Sequence, residues 1–231
     1  MTNLILQRLV PLLTSFALFI NSVGGLFGVS AVIPYNPERT DVVVSGDVIT
    51  DIDDILGYYN EAVQKTGFVI GTSSMDVIGT PEVETDFAEE MDASDYWEGI
   101  DGMETYIFEV PGEGDILASD VKSAKMSVAD GKRAVIINIK DNNDSVSRAF
   151  GWTMSLEDAF EMVGLNVTVG EIRQTYTDNT ISCIIDDNSG KIIYGDRDST
   201  ANTAVTDVTV NVFGEEFTMS MEYTGETHID I

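Results

Sequence analysis

This sequence of 231 residues contains only one cysteine and one histidine, so few sites that depend on a thiol or an imidazole can be built from it. With Cys183 alone, an intramolecular disulfide and a zinc site built from several thiolates are both excluded. A Cys–His or Ser–His pair must lie within hydrogen-bond reach, and His228 is close to the C-terminus, where chains fray. Cys183 alternates with Ile181 and Ile185 in a row typical of a core-facing strand. We therefore assign no catalytic residue.

Positive charge is also scarce, because 12 lysines and arginines stand against 40 aspartates and glutamates, a formal net charge of −28. The phosphates of nucleic acids and of anionic membrane surfaces would be repelled by such a chain. Cations and basic protein surfaces are the expected partners. The imbalance is strongest between Lys65 and Lys122, where no basic residue occurs.

The first 31 residues have the layout of a secretory signal peptide, with Arg8, then an apolar run, then small residues ending at Ala31. The alternative is an uncleaved membrane anchor, because residues 9–33 carry no charge and are long enough to cross a bilayer. Both alternatives predict a domain that is secreted or held at the cell surface. Residues 32–49 are predicted to form a linker with one short strand at Val42–Val44.

A single domain is predicted over residues 50–231, and it begins with a helix from Asp51 to Lys65. The aspartates at its start need no catalytic role, because carboxylates are stabilised at the positive end of a helix dipole. Thr50 is predicted to cap this helix and Gly67 to end it. A shorter helix is predicted from Ser155 to Val163. The apolar residues of the long helix share one face: Ile52, Ile55, Leu56, Tyr59, Ala62 and Val63.

The remainder of the domain is predicted to be strands joined by tight turns. Strands are expected at Phe68–Ile78 and Tyr106–Val110, with an acidic loop at Thr80–Gly102 between them. Three hairpins follow, with turns at Asp130–Gly131, Asp187–Gly190 and Gly214–Glu215. These turns align apolar residues in pairs: Met126 with Val135, Ala124 with Ile137, Ile185 with Ile193, Val212 with Phe217, Val210 with Met219, and Val208 with Met221.

These patterns predict an α+β fold, a curved antiparallel sheet of several hairpins covered by one long and one short helix. The segments YYNEAV, LASDVKSAKMSVADGKRAVIINIKD and TYTDNTISCIIDDNSGKIIY together resemble uncharacterised secreted proteins of bacteria. The layout is similar to that of half-barrel envelope proteins that carry lipids. The resemblance implies a fold and an extracytoplasmic location, and it transfers no functional residue.

Two groups of residues are candidates for binding. Acids interleaved with aromatic rings can form a binding surface, and Tyr96 and Trp97 are its predicted centre, with Trp152 as a further ring. Oxygen side chains at alternate positions suggest a calcium loop, with ligands Asp141, Asn143 and Ser145. That loop lacks the usual glycine and glutamate at its sixth and twelfth positions, so a polar loop after a strand is the competing interpretation. No other cofactor is predicted.

The sequence therefore favours a non-enzymatic binding module of the bacterial cell exterior, secreted or surface-tethered. Its ligand would be an apolar molecule between helix and sheet, or a partner at the acidic aromatic segment. A carboxylate-dependent glycan hydrolase is an alternative, because two acids at a suitable separation suffice for that chemistry. A purely structural surface protein is a third.

Overall fold

A computed structural model describes residues 42–67, 69–85, 103–109, 116–150, 167–168, 170–212 and 215–230. The predicted signal peptide and the predicted helix at Ser155–Val163 lie outside these residues, as does most of the predicted acidic loop. In chain order the elements are β1 (Val48–Ile49), α1 (Ile52–Thr66), β2 (Val69–Thr85), β3 (Met103–Glu109), a 3₁₀ turn (Ala118–Asp120), β4 (Val121–Ala129), β5 (Lys132–Ile139), α2 (Asn143–Phe150), β6 (Val167–Thr168), β7 (Glu171–Asp186), β8 (Ile192–Val212) and β9 (Glu215–Asp230).

All the strands belong to one antiparallel sheet, in the order β1-β4-β5-β7-β8-β9-β2-β3, with β6 also paired to β8. This arrangement confirms the predicted α+β class and its antiparallel sheet. Helix α1 packs against β4 and also contacts β8, while α2 contacts β5 and β7. None of the helices in the described part of the chain has the length and apolar character needed to span a membrane.

Helix α1 begins one residue later than predicted, because Asp51 and not Thr50 is its cap. The Asp51 carboxylate accepts a hydrogen bond from the Asp54 amide at 3.1 Å. At the other end Gly67 adopts a φ of 70° and donates its amide hydrogen to the Val63 carbonyl, so the predicted stop is confirmed. Aspartate and threonine are both good cap residues, so the sequence alone did not distinguish Asp51 from Thr50 as the cap.

The apolar face of α1 is buried as predicted, with Ile52 at its edge and only partly buried. Polar contacts fix the helix at its middle and at its C-terminal end. The Asn60 side chain exchanges two hydrogen bonds of 3.1 Å with the backbone of Ile116, and the Ile192 amide donates to Thr66 Oγ1 at 2.8 Å. The core side chains contributed by α1 are Ile55, Leu56, Tyr59, Ala62 and Val63.

The β4–β5 hairpin has the predicted register, with Met126 opposite Val135 and Ala124 opposite Ile137. Both turn residues have positive φ, 52° at Asp130 and 73° at Gly131, as a type I′ turn requires. This hairpin was predictable because its register depends only on its own turn.

In the β7–β8 hairpin the predicted pair of Ile185 with Ile193 is wrong, because Ile185 lies opposite Ile192. A register shift between Ile184 and Ile185 makes Ile193 an extra residue beside the turn. Ile193 is 42% exposed, whereas Ile192 is 8% exposed and joins the core. From Ile184 back to Thr180 the strands have the predicted register, and Ile181, Cys183 and Ile185 are all buried.

The β8–β9 hairpin is displaced by two residues from its predicted register. Val212 lies opposite Glu215, Val210 opposite Phe217, and Val208 opposite Met219. The connection therefore comprises residues 213–214 in place of Gly214–Glu215. Because side chains alternate between faces with a period of two, a displacement by two residues does not exchange the faces, and Val208 is buried while Glu222 is exposed, as predicted.

Two of the irregularities in the ladders coincide with left-handed aspartates. In the described part of the chain, the non-glycine residues with positive φ are all aspartates: Asp130, Asp178 and Asp207. Asp178 lies at the register shift between Thr177 and Thr180, and Asp207 at the shift between Val205 and Val208. A short polar side chain tolerates this conformation better than an apolar one does.

Three predicted strands differ in their bounds from the observed ones, and the first is β3, which is Met103–Glu109 where Tyr106–Val110 was predicted. Residues Val42–Val44 are not a strand, and β1 lies instead at Val48–Ile49, paired with β4. Strand β2 continues to Thr85, so the start of the predicted acidic loop belongs to the sheet. A break in the β2–β9 register between Ile78 and Glu82 accommodates Pro81, which cannot donate to a ladder.

Candidate functional site

The residues predicted to contact ligand, Tyr96, Trp97 and Trp152, lie outside the described residues, so this prediction stays open. The predicted calcium segment is partly helical, because Asn143 is the first residue of α2. Asn142 Oδ1 caps this helix by accepting from the amides of Asp144 at 2.9 Å and Ser145 at 3.1 Å.

Of the three predicted calcium ligands, Asp141 is exposed and precedes the helix, whereas Ser145 is buried. Ser145 Oγ donates a hydrogen bond of 3.0 Å to Asp120 Oδ1, which directs its hydroxyl toward another partner. Across the described residues, no three or more histidines, cysteines or acids are grouped so as to hold a metal ion. Calcium at Asp141, Asn143 and Ser145 stays a prediction.

The carboxylate of Asp120 is the centre of a polar cluster that joins the 3₁₀ turn to α2. Arg148 donates to it twice, from Nη2 to Oδ1 at 2.6 Å and from Nε to Oδ2 at 3.0 Å. The Leu117 amide adds a hydrogen bond of 3.0 Å to Oδ2. Arg148 first, and the hydrogen bonds from Leu117 and Ser145 after it, lower the pKa of Asp120 against the opposing effect of burial. These contacts explain a structural role for Asp120.

The face of the sheet opposite to α1, called here the outer face, carries a polar row across five neighbouring strands. Adjacent members are direct register partners. Asn138 Nδ2 donates to Ser123 Oγ at 2.9 Å, and Thr180 Oγ1 donates to Asn138 Oδ1 at 3.2 Å. The outer row consists of Ser123, Asn138, Thr180, Asp198 and His228.

His228 lies at the end of this row, between two carboxylates of β8. Its Nδ1 is 2.5 Å from Asp198 Oδ1, and its Nε2 is 3.8 Å from Asp196 Oδ1. The prediction that His228 frays with the C-terminus is wrong, because β9 is paired with β2 through Ser74 and with β8 through Asp198 at this position. Opposite sides of the imidazole face the two acids, so a single metal ion could not bridge all three groups.

The core face of β7 and β8 carries a second polar group, which the sequence did not predict. Arg197 is 0% exposed and is among the largest fully buried side chains. Two residues along the same face, Ser199 Oγ donates to Asn179 Oδ1 at 2.8 Å. Tyr59 reaches this region from α1, since its hydroxyl interacts electrostatically with Arg197. We call Tyr59, Asn179, Arg197 and Ser199 the core polar cluster.

Burial dominates the electrostatics of this cluster. It lowers the pKa of Arg197 to about 10, so the guanidinium remains charged at neutral pH. It also raises the pKa of the Tyr59 hydroxyl, an effect that Cys183 reinforces and Arg197 opposes. The neighbouring Cys183 is fully buried, and burial raises the pKa of its thiol to about 12, which leaves it unreactive as a nucleophile.

No family model matches the sequence, and no curated protein matches it significantly. Functional inference therefore rests on the outer row, the core polar cluster and the charges that surround them.

Proposed function

We propose that the protein is a non-enzymatic binding module of the bacterial cell exterior that binds a positively charged surface of another protein through its outer face. The N-terminal sequence supports the location, because its layout is that of a secretory signal peptide or an anchor. The distribution of charge over the outer face supports the ligand class.

Carboxylates on the outer face carry this proposal. Their backbone positions alternate with the core-facing residues of four adjacent strands, so they share one surface around His228. Arg173 is the basic residue placed among them, and it is 3.5 Å from Glu171. A broad face on which negative charge predominates favours encounter with a positively charged partner. The acids are Asp76, Glu171, Asp196, Asp198, Glu222 and Glu226.

The space between α1 and the sheet is a less well supported ligand site than the outer face. Ile55, Tyr59 and Val63 pack into a continuous cluster with buried residues of β4, β5, β7 and β8. Because these side chains are nearly all buried against one another, the cluster offers an apolar ligand less accessible surface than the outer face offers a partner. The outer face is therefore the better candidate for ligand contact.

Neutralising three outer-face acids is expected to weaken binding to immobilised poly-L-lysine about tenfold, which corresponds to roughly 0.5 kcal/mol for each exposed charge. The variant is Asp196→Asn, Asp198→Asn, Glu226→Gln. Affinity would be measured by biolayer interferometry at several salt concentrations, because the loss should shrink as salt rises. Envelope proteins of the host would be tested in the same way.

The matched control is Asp47→Asn, Asp53→Asn, Glu61→Gln, which removes the same charge from exposed positions on and before α1. Equal weakening by the two triple variants would mean that net charge alone is responsible, and the outer face would be dropped. Release of reducing sugars from envelope glycans would instead favour the hydrolase alternative.

The N-terminal proposal has its own measurement. Cleavage after Ala31 is expected when the protein is exported by its host, so N-terminal sequencing of the extracellular protein should begin at Val32. Retention of Met1 in the membrane fraction would indicate the uncleaved anchor. Recovery of the full-length chain from the cytoplasmic fraction would contradict both.

We also propose that the sheet curves around α1 in a half-barrel-like layout, with the short helix predicted at Ser155–Val163 completing the cover. The register shifts in β2, β7 and β8 support this, because bulges increase the local twist and bend of a strand.

A further inference from the structure

The core polar cluster holds hydrogen-bond donors that have almost no solvent-accessible surface. Asn179 is 2% exposed, and its Oδ1 is occupied by the Ser199 hydroxyl. Its Nδ2 is fully buried and has no hydrogen-bond partner within the described structure. The Tyr59 hydroxyl is also buried without a hydrogen-bond partner within the described structure, and Tyr59 as a whole is 1% exposed. Buried donors without acceptors are rare in folded proteins, because they lose their hydrogen bonds to water.

The same region carries a buried positive charge. Arg197 lies two residues from Ser199 on β8, and its side chain shares the core face with Asn179. Tyr59 is close enough for its hydroxyl to respond to that charge. Cys183 of β7 also interacts electrostatically with the Tyr59 hydroxyl, and Ile181 lies opposite Arg197 in the β7–β8 ladder.

From this combination we infer that the core polar cluster is an internal binding site for a small monovalent anion, such as chloride or a short carboxylate. Tyr59 Oη and Asn179 Nδ2 donate hydrogen bonds to the anion, and Arg197 supplies positive charge. An anion suits these groups better than water does, because it accepts hydrogen bonds without needing acceptors for hydrogens of its own. This site is separate from the outer face, and its ligand is independent of the partner proposed there.

Melting temperatures in different sodium salts at equal ionic strength test this inference. Chloride and formate are expected to raise the melting temperature by about 3 °C relative to gluconate, which is too large to be enclosed. Tyr59→Phe removes one oxygen atom and should abolish most of that rise. Tyr58→Phe is the matched control, because Tyr58 is exposed and stacks on Arg133 at 4.0 Å, and it should keep the full rise.

A second variant supplies the negative charge from within. Asn179→Asp keeps the shape and the acceptor for Ser199, and it places a carboxylate where the amide nitrogen lies. Its melting temperature should no longer depend on the anion. If this variant does not fold, the comparison of Tyr59→Phe with Tyr58→Phe still shows whether the effect of the anion on the melting temperature requires the Tyr59 hydroxyl.

Identical melting temperatures in the three salts would overturn the inference, as would an anion effect that Tyr59→Phe retains in full. General salt effects on the surface would raise all the variants equally and would count against the site. Anomalous scattering from bromide at Tyr59 and Asn179 in crystals would support it directly. Bromide bound only at the protein surface would contradict it.

Discussion

Replacing Ile55 by alanine is expected to lower the free energy of unfolding by about 3–4 kcal/mol, which is roughly 7–14 °C in melting temperature for a chain of this size. Ile55 is 0% exposed and lies at the centre of the α1 face that packs on the sheet. The loss combines buried methyl groups with a cavity that the surrounding core closes only in part. Urea denaturation followed by circular dichroism would measure it.

Gly57 of the same helix offers a control of opposite sign. It is exposed, and a Cβ built on it meets no atom within 4 Å. Gly57→Ala should therefore raise stability by about 0.5–1 kcal/mol, because alanine loses less backbone entropy in a helix. If Ile55→Ala cost less than about 1 kcal/mol, α1 would not be the cover of the sheet.

Replacing Asp120 by alanine is expected to cost about 2–3 kcal/mol of stability at neutral pH. Its side chain is 2% exposed and accepts hydrogen bonds from Arg148, Ser145 and Leu117, which would all lose their acceptor together. The value is held below that of a fully buried ion pair, because Arg148 is partly solvated and water screens its charge. Denaturation at pH 7 would measure the difference from wild type.

The pH dependence of this contribution has a definite sign. Arg148 and the other donors hold the pKa of Asp120 below its usual range in the folded protein. The contribution is therefore fully present above the unfolded pKa of about 3.9 and is lost as the pH falls through the folded pKa. The stability gap between wild type and Asp120→Asn should be constant near neutral pH and shrink below about pH 4. A gap unchanged under acid would show that the charge of Asp120 contributes nothing.

The sequence predicted the structure correctly where the geometry of an element depends only on residues close to one another in sequence. The stripe of α1 and the Asp130–Gly131 turn depend on neighbours in sequence, and both are confirmed. The predicted registers of the two longer hairpins were wrong for different reasons. In the β7–β8 hairpin Ile193 is an extra residue beside the turn, and in the β8–β9 hairpin the connection lies one residue earlier than predicted. The position of a bulge such as the one at Asp207 depends on the twist of the whole sheet, and a short stretch of sequence does not determine that twist.

The candidate sites were less predictable than the fold. Oxygen-rich residues near Asp141 suggested calcium, but Asn142 and Ser145 use their polar atoms to cap α2 and to bind Asp120. The core polar cluster was missed although Arg197 occupies an inward position of the alternating strand. A single arginine among Ser199, Ala201 and Thr203 gave no sign of complete burial, because burial depends on what covers the strand.

The pairing of β9 on both sides has a mechanical consequence. Strand β9 lies inside the sheet, hydrogen-bonded to β8 along one side and to β2 along the other. A pulling force along β9 must therefore load two rows of hydrogen bonds in shear at once, and it cannot peel them one by one. Under tension along its own axis, β9 should therefore be among the last strands to leave the sheet.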